Sequence, residues 1–484
     1  MNTARAVVLA APSSGSGKTT VSTGLMAALA RRGTRVAPFK VGPDYIDPGY
    51  HTLAAGAPGR NLDPVLVGPD RIAALARHGS AGAEVAVVEG VMGLFDGRVA
   101  DGAGSTAEVA ALLGAPVVLV VDVRGQARSL AALLHGFRSF DPSPRSAGGA
   151  GRARVAGVIL NRVGSPRHVE VLTAAAEEAG LPVLGAVPRR AELVVPSRHL
   201  GLVTAAEHGA AARAAVDAMA ELVAAHVDLD AVVATAQPLP DGPSWDPEQE
   251  IAGAHAGPGS PRLPGNPDNP NMPDRRPVIA VAGGPAFGFG YAEHTELLRA
   301  AGADVALVDP LRDESLPEGT AGLILPGGFP EEHVAALGAN APLRAEIAAL
   351  AASGAPVHAE CGGLLYLCRE LDGVEMCAVL DASGAMTERL TLGYRDAVAL
   401  TGSAVFPEGS RVCGHEFHRC AVTPRAGGTG SAPLRQERGD AAAWAWRGAE
   451  PEGFVLDGVH ASFLHTHPAG NPDAVVHFVR SSAT

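Results

Sequence analysis

Of the 484 residues, 47% are hydrophobic and 18% charged, which supplies enough apolar mass for two or three cores and excludes global disorder. Asp and Glu number 51 against 38 Lys and Arg, and the resulting net charge of −13 argues against nucleic acid or an anionic membrane as the main partner, while leaving room for a local basic pocket. The five cysteines all fall between Cys361 and Cys420 and fit a reducing compartment better than a disulfide framework; with no leader-like start and no apolar run of about 18 residues, the expectation is a cytoplasmic protein.

The first apolar run, Ala6 to Ala10, leads into Ala11-Pro-Ser-Ser-Gly-Ser-Gly-Lys-Thr19 and then a helical stretch, Val21 to Arg31. This strand–loop–helix order is what a phosphate-binding loop requires: backbone N–H groups of Gly15, Ser16, Gly17 and Thr20 with the helix N-terminus cradle phosphate oxygens, Lys18 reaches the outer phosphates, and Thr19 ligates Mg²⁺. The spacing departs from the common form, with Pro12 at the usual leading glycine and five residues between Ala11 and Gly17.

Further buried strands are predicted at Arg35 to Phe39, Val85 to Val88, Val117 to Val121, Val155 to Leu160 and Val183 to Val187, with helices such as Thr106 to Leu113 and Arg167 to Ala179 between them, which reads as a doubly wound, mostly parallel α/β sheet. Chemistry in such sheets gathers at the C-terminal strand ends. There the chain places Asp44 and Asp47 in a Pro/Gly-bounded loop, Glu89 at the close of a strand, and Asp96 in the loop after it; carboxylates at these points hold Mg²⁺ directly or through water, or serve as cap and turn acids. Asn161, ending another strand, can offer its amide to adenine or serve as a turn residue.

From about Thr235 the pattern stops. Residues 235–276 hold Pro-Leu-Pro, Pro-Gly-Ser-Pro and Asn-Pro-Asp-Asn-Pro without a periodic apolar face and are expected to be a linker between a domain of residues 1–234 and one of residues 277–484. Segments 141–154 and 424–436 are expected to be exposed loops.

The α/β rhythm restarts at Val278 to Val281 and continues through Val305 to Val308, Gly322 to Leu325 and Pro356 to Ala359. Cys361 then falls on a tight strand-to-helix turn beside Gly362 and Gly363, a geometry expected to expose the thiol and lower its pKa. The N–H groups of the Gly327-Gly328 turn are candidates for an oxyanion site, as is Gly362, and Ala461 to Pro468 offers a base through His465 or His467. The run Cys413-Gly-His-Glu-Phe-His-Arg-Cys420 resembles a zinc set, but strand alternation would put residues 413 and 415 on one face and 418 and 420 on the other.

Together these motifs, with Phe39 to Pro48, Val88 to Gly97, Val158 to Val163, Val195 to Leu202, Leu392 to Asp396 and Gly414 to His418, resemble the ATP- and glutamine-dependent cobyrinic and hydrogenobyrinic acid a,c-diamide synthases, over nearly the whole chain. That family is similar to dethiobiotin synthetase in its first domain and to class I glutamine amidotransferases in its second.

The resemblance implies that Cys361 attacks glutamine with His465 as base and His467 as alternate, releasing ammonia through a glutamyl thioester. It implies that ATP phosphorylates an acetate carboxylate of a corrinoid so that ammonia can displace phosphate. Thr19, Asp44 and Glu89 would hold Mg²⁺, Asp47 and Asp96 would orient substrate or ammonia, and Arg198 and His199 would pair with ring carboxylates. The Glu that usually follows the catalytic His by two residues is missing, which implies another orienting group. Alternatives are amidation of other ring carboxylates, as by cobyric acid synthase, or a partition-type binding ATPase with an inactive glutaminase-like domain. The cobalt content of the ring and the oligomeric state are not legible in the residues.

Overall fold

A computed structural model of the protein describes residues 4–140, 152–189, 197–198, 201–202, 204–254, 276–428 and 440–483. The chain forms two compact units, Met1–Trp245 and Asp246–Thr484.

The first unit is built on a sheet of seven parallel strands: β1 (Arg5–Ala10), β2 (Val36–Val41), β3 (Arg60–Leu62), β4 (Val85–Glu89), β5 (Val117–Asp122), β6 (Val155–Val163) and β7 (Val183–Pro188). Their order is β3-β2-β4-β1-β5-β6-β7. Strands β1, β2, β4 and β5 are buried almost end to end, as expected for a sheet covered on both faces, and this is why they read as near-continuous apolar runs, with Lys40 interrupting β2.

Helices α1 (Lys18–Arg31), α2 (Asp47–Ala55), α3 (Pro69–Gly79), α4 (Thr106–Leu112), α5 (Leu130–Ser139), α6 (Pro166–Glu178) and α7 (Ala210–His226) belong to the same unit. Local chemistry sets several of their starts: Ser105 accepts from Glu108 N ahead of α4 and Ser165 from His168 N ahead of α6. From β1 the chain passes to β2 with β4 between them, so β1 is the switch point of the winding. The loops leaving the C-terminal ends of β1, β2, β4 and β6 therefore converge.

The expected linker is not uniformly extended. Gln237–Pro238 pairs with the start of β1, Trp245 is buried with its N–H donating to Ala74 O, and Pro247–Ala254 is a helix with Ile251 buried. Apolar anchors spaced between the prolines are enough to tie this stretch down. Residues 255–275 lie outside the described residues, as do 141–151 and 429–436 of the two expected loops.

The second unit has a six-stranded sheet containing β8 (Val278–Ala282), β9 (Asp304–Val308), β10 (Thr320–Leu325), β11 (Val357–Glu360), β14 (Phe454–Leu456) and β15 (Val459–Ser462), in the order β9-β8-β10-β11-β15-β14. All neighbours are parallel except β14 with β15. A second sheet carries the long antiparallel pair β12 (Ser383–Ala399) and β13 (Arg411–Thr423), and β13 pairs in turn with the short β16 (His465–Thr466). Helix α8 (Gly362–Leu367) follows β11 directly and is buried throughout. Among the described residues no helix is long and apolar enough to cross a membrane.

Candidate functional site

Two clusters of chemically competent side chains form, one in each unit. In the first, Gly15 and Gly17 turn the loop after β1 with φ of 76° and 90°, values that favour glycine. A Cβ on Gly17 would also lie 2.2 Å from Asn161 Nδ2, which donates to Ser16 O at 2.8 Å. Asn161 thus braces the phosphate loop with one of its two amide N–H donors. Arg162 adds a second brace from β6, donating to Gly15 O at 2.9 Å. Thr20 lies in the first turn of α1.

Lys18 donates to Met92 O at 2.5 Å, and burial, followed by the nearby Lys40 ammonium, lowers its pKa. Beyond it lies a buried network. Thr19 Oγ1 donates to Glu89 Oε1 at 2.7 Å and to Asp47 Oδ2 at 3.3 Å, and Lys40 Nζ donates to Asp47 Oδ2 at 2.5 Å and to Glu89 Oε1 at 2.9 Å. Glu89 Oε2 accepts from Ser22 Oγ at 2.5 Å and meets His51 Nε2 at 2.8 Å. Burial opposes ionisation of Glu89, yet Lys40 and His51 outweigh it and hold the group well below the usual carboxylate range. Burial and then the Asp44 charge push Asp47 up to about 7. Burial also works against the Lys40 charge, but Asp47, Glu89 and Asp44 overcome it and raise its pKa.

The two acids of the Pro/Gly-bounded loop sit differently from the sequence reading. Asp44 spends Oδ1 on the N–H groups of Ile46 and Asp47, at 2.9 and 3.0 Å, and its other oxygen is 3.8 Å from Lys40. It is the turn acid at the entry to α2, while Asp47, expected to orient substrate, is the one beside Thr19. Asp96 Oδ2 accepts from Gly93 N at 2.9 Å in the loop after β4 and contributes to the field at Lys18. Ser197–Arg198 pairs with Gly201–Leu202, but the Arg198 side chain and all of His199 lie outside what is described. Lys40, His51 and Ser22 were missed; the legible signal was a lysine inside the buried run Val36–Val41, in register with Glu89 across β2 and β4.

In the second unit, Cys361 holds φ 50° and ψ −101° between β11 and α8, a strained strand-to-helix elbow of the kind that carries nucleophiles in other folds. Its N–H donates to Ser462 O at 2.7 Å, and Sγ lies 4.0 Å from Phe417 O. The thiol is not exposed, contrary to expectation: it is 3% accessible, and burial followed by the Glu331 charge raises its pKa, although the Gly362 N–H works in the opposite direction. A six-residue helix does not outweigh desolvation here, so the resting group is a thiol that needs a base.

His465 reaches the turn that follows β10. Its ring packs so tightly on Gly327 that a Cβ there would lie 2.3 Å from Cε1, and a Cβ on Gly362 would lie 2.9 Å from Gly328 N. The Gly327-Gly328 turn therefore touches both the Cys361 elbow and the His465 ring. Burial pushes His465 down to about 3, leaving it neutral. His467 is used differently: its Nδ1 accepts from Ala469 N at 3.2 Å as a helix cap, and its ring lies against Tyr291. In the zinc-like run, Cys413 and His418 lie at odd and even positions of β13, and His418 Nδ1 donates to Cys420 O at 2.8 Å.

Comparison with known proteins matches these units. A model described as the CobQ/CobB/MinD/ParA nucleotide binding domain covers residues 7–203, and one described as the CobB/CobQ-like glutamine amidotransferase domain covers residues 278–472. A hydrogenobyrinate a,c-diamide synthase of Mycobacterium bovis is 55% identical over 99% of this chain and 98% of its own. The enzyme of that name from Streptomyces coelicolor is 54% identical over 99% and 97%. A cobyrinate a,c-diamide synthase of Dehalococcoides mccartyi is 37% identical over 98% of both chains. With a nucleotide-binding unit, an amidotransferase unit and full-length likeness to these proteins, the chain belongs to the a,c-diamide synthase family of glutamine-dependent amidotransferases.

Proposed function

We propose that the protein converts the a and c acetate carboxylates of a corrinoid to amides, using ATP for activation and glutamine as the source of ammonia. The reading rests chiefly on one pairing within a single chain: a phosphate loop facing Asp47, Glu89 and Lys40, and a buried cysteine elbow that meets the same Gly327-Gly328 turn as a neutral histidine. The higher identity to relatives named for hydrogenobyrinate, 55% against 37%, favours the cobalt-free ring as substrate.

A carboxylate resists ammonia because oxide would have to leave; transfer of the terminal phosphoryl group of ATP to its oxygen creates a phosphate leaving group. Lys18 is placed to follow charge moving onto the transferred phosphoryl oxygens. The oxygen donors of Thr19, Asp47 and Glu89 suit Mg²⁺, which is commonly held by one or two carboxylates with substrate phosphates supplying the rest; when bound, it neutralises phosphate charge. Lys40 favours the ionised form of both acids against burial, and prevails at Glu89; Asp96 remains the candidate to orient the acetate or ammonia. Arg198 and His199 are candidates to pair with ring carboxylates, and Asn161 to contribute to the nucleotide site by bracing the loop.

At the second site the Cys361 thiol gives its proton to His465, and Sγ bonds to the carboxamide carbon of glutamine while Gly328 N–H and Gly362 N–H face the oxyanion. Collapse breaks the C–N bond as the histidine passes its proton to the departing nitrogen, releasing ammonia, and water hydrolyses the thioester to glutamate and the free thiol.

The test is mass spectrometry of hydrogenobyrinic and cobyrinic acids after incubation with protein, ATP, Mg²⁺ and glutamine. Two carboxyl-to-amide conversions on one ring are expected. ATP hydrolysis with no mass change on either ring would overturn the reading in favour of a nucleotide-switched binding protein.

A further inference from the structure

We propose that Glu360, the residue immediately before the nucleophile, is the positioning carboxylate of His465, replacing the acid that related amidotransferases carry two residues after their histidine. The residues two places after His465 and His467 are His467 and Ala469, so no carboxylate follows either histidine there. The inference rests on the assignment of Cys361 and His465 above and extends it to a third group.

Three features of the site support it. Thr466 donates twice to Glu360 Oε1, from N and from Oγ1, both at 3.0 Å, and this fixes the carboxylate plane. The other oxygen, Oε2, is then 3.7 Å from His465 Nδ1. That is ion-pair range and longer than a hydrogen bond, as catalytic contacts often are before substrate binds. Residues 360 and 466 meet because β11 ends beside β15, with Glu360 opposite Ser462 in register, and the chain reaches β16 three residues later. The neighbouring buried acids are engaged elsewhere: Glu452 accepts from Ser462 Oγ and Phe463 N, and Glu416 from Arg395 Nε.

A cavity of about 20 Å³ bounded by Glu360, His294, His358 and Thr466 is large enough for one water, which can solvate the carboxylate. An ionised Glu360 would take the Nδ1–H of neutral His465, present Nε2 to the Cys361 thiol, and oppose the imidazolium formed when the thiol proton arrives.

The ionisable groups facing Glu360 are His358 at 3.6 Å on its own strand, His465, and the adjacent Cys361, with His294 and His460 acting on His358. Burial takes His294 to about 4, His460 and His465 to about 3, and His358 well below the usual range, so these imidazoles are neutral above pH 5 to 6. Burial raises Glu360 to about 7, in the opposite direction. The carboxylate form, and with it the glutaminase rate, should therefore grow as pH rises through neutrality.

The experiment measures glutamine hydrolysis from pH 5.5 to 9 in the full-length protein, native and Glu360→Gln, with ammonia-supported amidation as the control for folding and for the first site. Glu360→Gln should lower kcat by about 10²- to 10⁴-fold with little change in KM, as loss of a histidine-orienting acid does elsewhere, and should abolish the rise near pH 7. Glu360→Asp should restore part of kcat. If Glu360→Gln folds poorly, Thr466→Val, which removes the Oγ1 donor while keeping the carboxylate, should give a smaller kcat loss. Native kcat and an unchanged pH profile in Glu360→Gln would overturn the positioning role. Failure of the native protein to hydrolyse glutamine at all would overturn instead the assignment on which it rests.

Discussion

Asp44 and Asp47 are three residues apart, yet their surroundings assign them different work. Asp44 satisfies two backbone donors at the head of α2, a task an asparagine oxygen performs equally well, whereas Asp47 shares Thr19 and Lys40 with Glu89. Asp47→Asn removes a charge from a buried network in which Lys40 and Glu89 remain, while Asp44→Asn keeps its cap. ATP-dependent amidation should fall by about tenfold or more, ~1.4 kcal/mol, further in Asp47→Asn than in Asp44→Asn. Measured kcat/KM for ATP checks this, and a larger loss in Asp44→Asn would return the metal-holding role to Asp44. On the same scale, Cys361→Ala should abolish glutamine use but leave amidation with added ammonium salts, and Lys18→Ala should stop both, because activation of the carboxylate precedes either nitrogen source. Full glutamine-dependent activity in Cys361→Ala would rule out the thiol as nucleophile.

At the scale of elements, the sites depend on turns that hold backbone against side chain. Gly327 is such a place, since its Cα lies under the His465 ring. Gly327→Ala adds a Cβ where the buried ring now is, and a displacement of about 1 Å from a reactive position is worth roughly 10²-fold in rate. Glutamine-dependent turnover should drop by about that factor while ammonia-supported turnover stays within twofold, read by amide formation with each nitrogen source. Equal losses with both would mean the turn supports the unit's fold rather than the position of the histidine.

Elements also explain what the sequence could reveal. Strands buried on both faces appear as continuous apolar runs, so β1, β4, β5 and β10 and the loops at their ends were legible. The β12–β13 pair was not: β12 is half-exposed, carries Thr, Arg and Glu along 17 residues, and has a register break between Met386 and Thr391. Lys40 and His51 were hidden for a different reason. Their role depends on register across β2 and β4 and on one turn of α2 bringing residue 51 over residue 47, pairings that no local pattern announces. The thiol's raised pKa was misjudged because motif geometry reports the helix terminus and not the desolvation around it.

At the scale of the molecule, each unit has its own sheet, its own buried core and its own reactive cluster. Ligands that bind one native unit should therefore stabilise that unit first. Nucleotide with Mg²⁺ at about 100 times its Kd adds roughly 2.7 kcal/mol to the unit that binds it, and for a unit of this size that moves an unfolding transition upward by roughly 5–10 °C. A glutamine analogue that alkylates Cys361 should act on the other transition. Calorimetry of the full chain is thus expected to show two transitions, the nucleotide moving one and the thiol-directed analogue the other. Lys18→Ala should remove the first shift and Cys361→Ala the second. A single transition that moves as a whole with either ligand would mean that the units unfold as one cooperative body. The two chemistries would then be thermodynamically linked, since a ligand at either cluster would stabilise the structure that holds the other.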